Sequence, residues 1–189
     1  MAANSSDRVD AQKKIEDLYK LIDGIDIAMF TTRRRDGLMV SRPMSTQQQT
    51  AGTDLWFVTD VESPKVADMA WDNNVNLAYY NQKSREFVSV AGTAIITQDR
   101  DLIRGLWKPD WKAWFGDEGG ARDGSASDPR LALILVEAKS VEYLVVNKSR
   151  PMILFEVAKA FVTGATPDIG EVRTLTDREL HKTPVREAR

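Results

Sequence analysis

The chain contains no cysteine and a single histidine, His181. The first absence removes disulfides, thiolate metal ligands and thiol nucleophiles together. The second leaves too few imidazoles for an ordinary zinc site or a histidine-centred triad, so no metal is expected. No stretch approaches the ~20 apolar residues of a membrane span. Residues 1–8 lack the apolar core of a secretion signal. There is no basic excess either: 26 Lys and Arg stand against 28 Asp and Glu, for a net charge of −2. A general nucleic-acid surface would need a clear positive balance. No G-x-G-x-x-G occurs, so a Rossmann dinucleotide site has no support. A cytoplasmic protein is the expectation. Any redox chemistry must then be carried by a bound organic cofactor.

What is present is the composition of a globular protein. The 189 residues are 42% apolar and 29% charged, enough for one domain with a proper core. Residues 1–10 read as a flexible N-terminus, 11–165 as the folded domain and 166–189 as a polar, loosely packed C-terminal tail. Ile15, Leu18, Leu21, Ile22 and Ile25 recur at three- and four-residue steps, the mark of an amphipathic helix ended by Gly24. Strands are expected at 27–32, 38–46, 55–59, 75–81, 87–97, 131–136 and 141–146. Asp36-Gly37 makes the first pair a hairpin. Pro43 places the second strand at an edge or a bulge. Gly92 suggests a bend at a barrel corner. Helices are expected at 64–71, at 100–107 behind an Asp99 cap, and at 152–162. Many antiparallel strands with few intervening helices point to an α+β fold, a small closed or split β-barrel of six to seven strands with flanking helices.

Three constellations bear on function. Ser63-Pro64 is a good helix start, with Ser at the cap and Pro at the first helical position. Lys65 in that first turn goes against the usual preference for an acidic residue there. Either the lysine points into water, or Thr59, Ser63 and Lys65 converge on an anion such as a phosphate monoester. Arg42, in the stretch Ser41-Arg42-Pro43-Met44, is either a solvated edge residue or a second cation. Trp107, Trp111, Trp114 and Phe115 crowd nine residues: a packed loop, a lid over a planar ring, or a contact with a second subunit. Lys108 and Lys112 between them suggest single-strand stacking, but Asp110, Asp117 and Glu118 oppose it. The Arg33-Arg34-Arg35 run reads as a solvated hairpin tip, and His181 as non-catalytic.

Four motifs, taken in order, carry a resemblance. They are TTRRRDGLMVSRPMS, LWFVTDVESPKVADMAWDNNVNLAYY, FVSVAGTAIITQDRDLIRGLW, and WFGDEGG followed by DPRLALILVEAKSVEYLVV. From residue 15 to 146 the chain resembles the general stress protein branch of the pyridoxamine 5′-phosphate oxidase-like, FMN-binding split-barrel proteins. The resemblance implies a homodimer with two FMN sites at the subunit interface. It implies that Arg42, Pro43 and Met44 contact the ring or ribityl chain, and that Val58, Thr59, Ser63 and Lys65 form the phosphate site. Trp107, Trp111, Trp114 and Phe115 would lie near the ring, from either subunit. Pro64 stands where the family has the first of two basic residues. The tail LTDRELHKTPVREAR does not reproduce the arginine-rich segment with which the true oxidases grip their substrate. The motifs do not rank FMN over FAD. The expected activity is that of a flavin-dependent oxidoreductase linked to stress, with no catalytic residue assigned. A non-catalytic flavin carrier or sensor, a pyridoxine or pyridoxamine phosphate oxidase, and a haem or deazaflavin module remain as alternatives.

Overall fold

The computed structural model describes residues 9–49, 53–164, 166–167 and 169–182. The expected loose N-terminus, part of the 47–53 loop and the last residues of the tail therefore lie largely outside the described residues. The chain opens with α1 (Ala11–Ile25), capped by Asp10, whose side chain accepts from the Gln12 N–H. Its buried residues, Lys14, Ile15, Leu18 and Ile22, form one face. Gly24 does not end this helix. Asp26 does, at φ 66°, with its N–H returned to the Ile22 carbonyl.

The strands β1 (Ile27–Arg33) and β2 (Met39–Ser45) form the expected hairpin. Gly37, at φ 87°, supplies the left-handed turn residue that a side chain resists. Next come β3 (Leu55–Asp60), α2 (Pro64–Trp71), β4 (Asn74–Tyr80), β5 (Phe87–Thr97) and α3 (Arg100–Leu106). A 3-10 turn at Pro109–Trp111 leads into the single-turn helix α4 (Lys112–Phe115). The chain ends with β6 (Leu131–Val145), α5 (Arg150–Thr163), β7 (Glu171–Thr176) and α6 (Asp177–Lys182).

All strand pairs are antiparallel, in the order β2-β1-β4-β5-β6-β3, with β7 also on β6. The two end strands nearly meet. The Gln47 N–H donates to the Trp56 carbonyl at 3.1 Å, joining β2 to β3 at one end and leaving the barrel split beyond it. Pro43 falls in the edge strand β2, where its missing N–H costs no ladder bond.

The 131–136 and 141–146 stretches form one continuous strand, not two. The polar residues between them mark a bend. The β5–β6 register shifts between Ala91 and Gly92. A Cβ on Gly92 would collide with the Glu137 carbonyl oxygen. The absent side chain therefore lets the two strands bend together.

The 166–189 segment departs most from expectation. Its β7 pairs with the far half of β6, on the edge that β3 leaves open. Leu175 and Leu180 enter the main core. Arg173 reaches Asp17 of α1 at 2.6 Å, and Lys14 reaches Glu179 of α6 at 3.2 Å. Low apolar content hid this packing, because each short element contributes one buried leucine.

Two apolar clusters flank the sheet. The main one fills the barrel, with Phe30 edge-on to Phe57 at 5.2 Å and α1 against β4 and β5. The second lies outside, where Trp56, Ile103, Trp111, Leu131 and Leu133 pack under α3. Strand β3 is thus buried on both faces, Phe57 inward and Trp56 outward.

Candidate anion site at the start of helix α2

The turn from β3 into α2 is stiffened from within. The Asp60 side chain accepts from the Glu62 N–H at 2.7 Å, and the Ser63 N–H donates to the Asp60 carbonyl at 3.1 Å. Pro64 then opens the helix with its fixed φ. Ser63 occupies the cap position, yet its hydroxyl does not cap the helix. It accepts instead from the Lys65 Nζ at 2.9 Å. The same ammonium donates to the Thr59 Oγ1 at 3.0 Å, and the two hydroxyls lie 3.3 Å apart. Thr59, at the end of β3, is only 4% exposed. Three of the expected phosphate ligands therefore converge.

Among the described residues, Lys65 has no carboxylate within ion-pair distance. Burial pushes its pKa down, the Arg42 charge pushes it further, and Asp60 offsets part of the shift. Arg42 is close enough to be felt, and it is held, not solvated. Its Nη1 donates to the Thr32 Oγ1 at 2.8 Å and its Nη2 to the Asp68 carboxylate at 3.2 Å. Thr32, fully buried, donates in turn to Asp68 at 2.8 Å. Thr32 and Asp68 were not foreseen. Their only trace in the sequence is alternation: Thr32 is a hydroxyl on an inward strand position, and Asp68 follows Lys65 by three residues on a helix.

The other expected residues fall elsewhere. On β2, Arg42 and Met44 share the half-buried face and Pro43 lies on the exposed one. Met44 packs on the main core. Val58, Trp107, Trp111 and Phe115 gather in the outer cluster, not around Lys65. Trp111 packs edge-on to Trp56 at 6.1 Å, and its buried indole N–H finds no acceptor among the described residues. The Trp107 indole donates to the Gly124 carbonyl at 3.3 Å. Trp114 stands apart at 85% exposure.

Against Phe115 of this cluster lies a second ionic centre that nothing in the sequence pattern announced. Arg130 is 2% exposed and Asp128 is fully buried. Their side chains pair through Nη2 at 2.7 Å and Nε at 3.1 Å. The remaining Arg130 donors go to the carbonyls of Phe115, Gly116 and Arg122 and to Glu118. Asp128 also accepts from the N–H groups of Gly124 and Arg130. The Arg130 guanidinium holds the Asp128 carboxyl far below the usual carboxylate range, against the opposing effect of burial. Elsewhere, Glu137, Asp177 and His181 converge on the surface. The Lys139 ammonium, 2.6 Å from Glu137 and 3.6 Å from Asp177, already supplies a cation there.

A split antiparallel barrel with a cation-and-hydroxyl cradle at the β3–α2 turn defines the class. The model of the family described as "Pyridoxamine 5′-phosphate oxidase like" matches residues 13–168. The chain belongs to that family. It is 34% identical over 181 residues to the protein bli-3 of Neurospora crassa, covering 94% of this chain and 87% of that one. Among solved structures, a putative general stress protein 26 from Jannaschia sp. CCS1 superposes with a TM-score of 0.66 at 23% identity, over 87% of this chain and 99% of that one. The general stress FMN/FAD binding protein of Xanthomonas citri superposes with a TM-score of 0.59 at 24% identity, over 73% and 92%. Among the described residues, no helix is long and apolar enough to cross a membrane.

Proposed function

We propose that the chain binds flavin mononucleotide, with the phosphate on Thr59, Ser63 and Lys65 and with Arg42 as the second cation. One observation carries this: a half-buried ammonium held by two hydroxyls and, among the described residues, by no carboxylate. A phosphate dianion supplies the missing charge and accepts from all three groups. A monoester concentrates that charge at one end, which favours FMN over FAD. The flavin binding named for the Xanthomonas citri relative agrees. We assign the ring to the split between β2 and β3. Among the described residues each of those strands has a ladder partner on one side only, and beyond the Gln47–Trp56 bond the facing edges have no ladder partner, which supports a ring bound there through its carbonyl and N–H groups.

Once bound, the flavin supplies the hydride or electron chemistry. The chain's own residues anchor the phosphate, fix Arg42 through Thr32 and Asp68, and line the slot. The best-supported activity is that of a flavin-dependent oxidoreductase in the cytoplasm, acting as a homodimer. The exposed Leu154, Phe155 and Phe161 of α5 support a second subunit. Vitamin B6 oxidation is less favoured, because Arg173 near the C-terminus is committed to Asp17 and Glu171.

The test is a pair of fluorescence titrations, one with FMN and one with riboflavin. FMN should bind more tightly by about 10-fold or more, the weight of at least one charge-assisted hydrogen bond. Equal affinity for the two would reject the phosphate site.

A further inference from the structure

The turn that carries Ser63 is gripped from outside as well as from within. Arg122 donates through Nη1 and Nη2 to the two carboxylate oxygens of Glu62, at 2.7 and 2.9 Å. Its Nε donates to Glu118 at 2.7 Å, and Glu118 also accepts from Arg130 at 2.7 Å. The Arg130 carbonyl accepts from the Val61 N–H at 2.9 Å. Val61 and Glu62 are the two residues immediately before Ser63 and its hydroxyl. The buried Arg130–Asp128 pair therefore extends through Glu118 and Arg122 to the turn beside the cradle.

We infer that Arg122 is a positioning residue for the anion site. By holding Glu62 in a two-pronged grip it fixes the turn between β3 and α2, and so the Ser63 hydroxyl against Lys65. This rests on the phosphate site proposed above. An exposed ion pair contributes little to global stability. A planar fork on a carboxylate, however, sets orientation as well as distance. A binding site needs such support to keep its donors aimed.

A competing account is simple charge: Arg122 attracts the phosphate from a distance, and Glu62 repels it. Two variants separate the accounts. Arg122→Lys keeps the charge and loses the fork. Glu62→Gln loses the grip and makes the surroundings more positive. FMN and riboflavin titrations are run on both variants, on their combination and on the unaltered chain, with thermal unfolding recorded for each.

Under the positioning role, each variant loses about three- to tenfold in FMN affinity. Riboflavin affinity and unfolding temperature stay in place, and the combination is no weaker than either variant alone. Glu62→Gln binding FMN as well as or better than the unaltered chain would overturn the role. So would Arg122→Lys at full affinity, or equal losses for FMN and riboflavin. If the unaltered chain itself fails to prefer FMN, the phosphate site fails and this role with it. If it prefers FMN while both variants bind normally, only the positioning role fails.

Discussion

Two cations in this chain meet opposite fates within one stretch of structure. Arg130 is closed off. It has a buried carboxylate as partner and an acceptor for every remaining direction of its fork. Lys65 is left open. It is half-buried and touches two hydroxyls that can relay its charge but cannot neutralise it. A desolvated charge costs free energy unless it is paired. A fully paired one therefore reads as part of the scaffold, and one held without a counter-charge reads as a seat for an anion.

The largest predicted effect breaks the closed side. Asp128→Ala removes the buried counter-ion of Arg130 and leaves only the half-exposed Glu118, and should cost about 3–5 kcal/mol in urea unfolding. Acid should act in the same direction. The folded carboxyl titrates below its unfolded value of 3.8, so its stabilisation is present above that value. It is lost as pH falls through the depressed folded value. A loss under about 1 kcal/mol would erase the contrast with Lys65.

On the open side the expected effect moves from stability to binding. Lys65→Ala should weaken FMN binding by about 1.5–3 kcal/mol. Without ligand, it should unfold at no lower urea concentration than the unaltered chain, because the cation it removes is partly desolvated and has no carboxylate partner among the described residues. An unchanged FMN affinity would reject Lys65 as an anchor.

The smallest effect is a shape in pH. Only charged Lys65 holds an anion strongly, and its pKa lies below the ordinary 10.5. FMN affinity should fall as pH rises through that lowered value, before an ordinary lysine would titrate. The decline should vanish in Lys65→Met. Titrations between pH 7 and 10.5 test this, and a flat profile in the unaltered chain counts against it.

Much of this was legible in the residues. The helix start at Ser63-Pro64, the hairpin at Asp36-Gly37 and the bend at Gly92 each follow from local backbone chemistry. Thr59, Ser63 and Lys65 are close in sequence, so their convergence could be expected from a strand, a turn and a first helical turn. The support of Arg42 by Asp68, and the link from Arg122 to Glu62, span 26 and 60 residues. No periodicity encodes such pairs; only the closed barrel brings them together. The tryptophans were ambiguous for a related reason. Aromatic density marks a place that excludes water, but it does not say whether a ligand or the protein's own outer cluster fills it.

Strand β6 has a consequence for how the molecule is assembled. One edge of it takes β3 and then β7, segments from residues 55–60 and 171–176 that lie far apart in the chain. Thr59 lies opposite Ala132, so during synthesis the strand bearing it waits for more than 70 further residues before it gains a ladder partner. The stretch reserved for β7 stays bare longer still, until residues 171–176 have left the ribosome. A nascent chain can thus complete the turn at Ser63 while half of its central strand is open to strangers, which makes that interval the one in which a chaperone has most to guard.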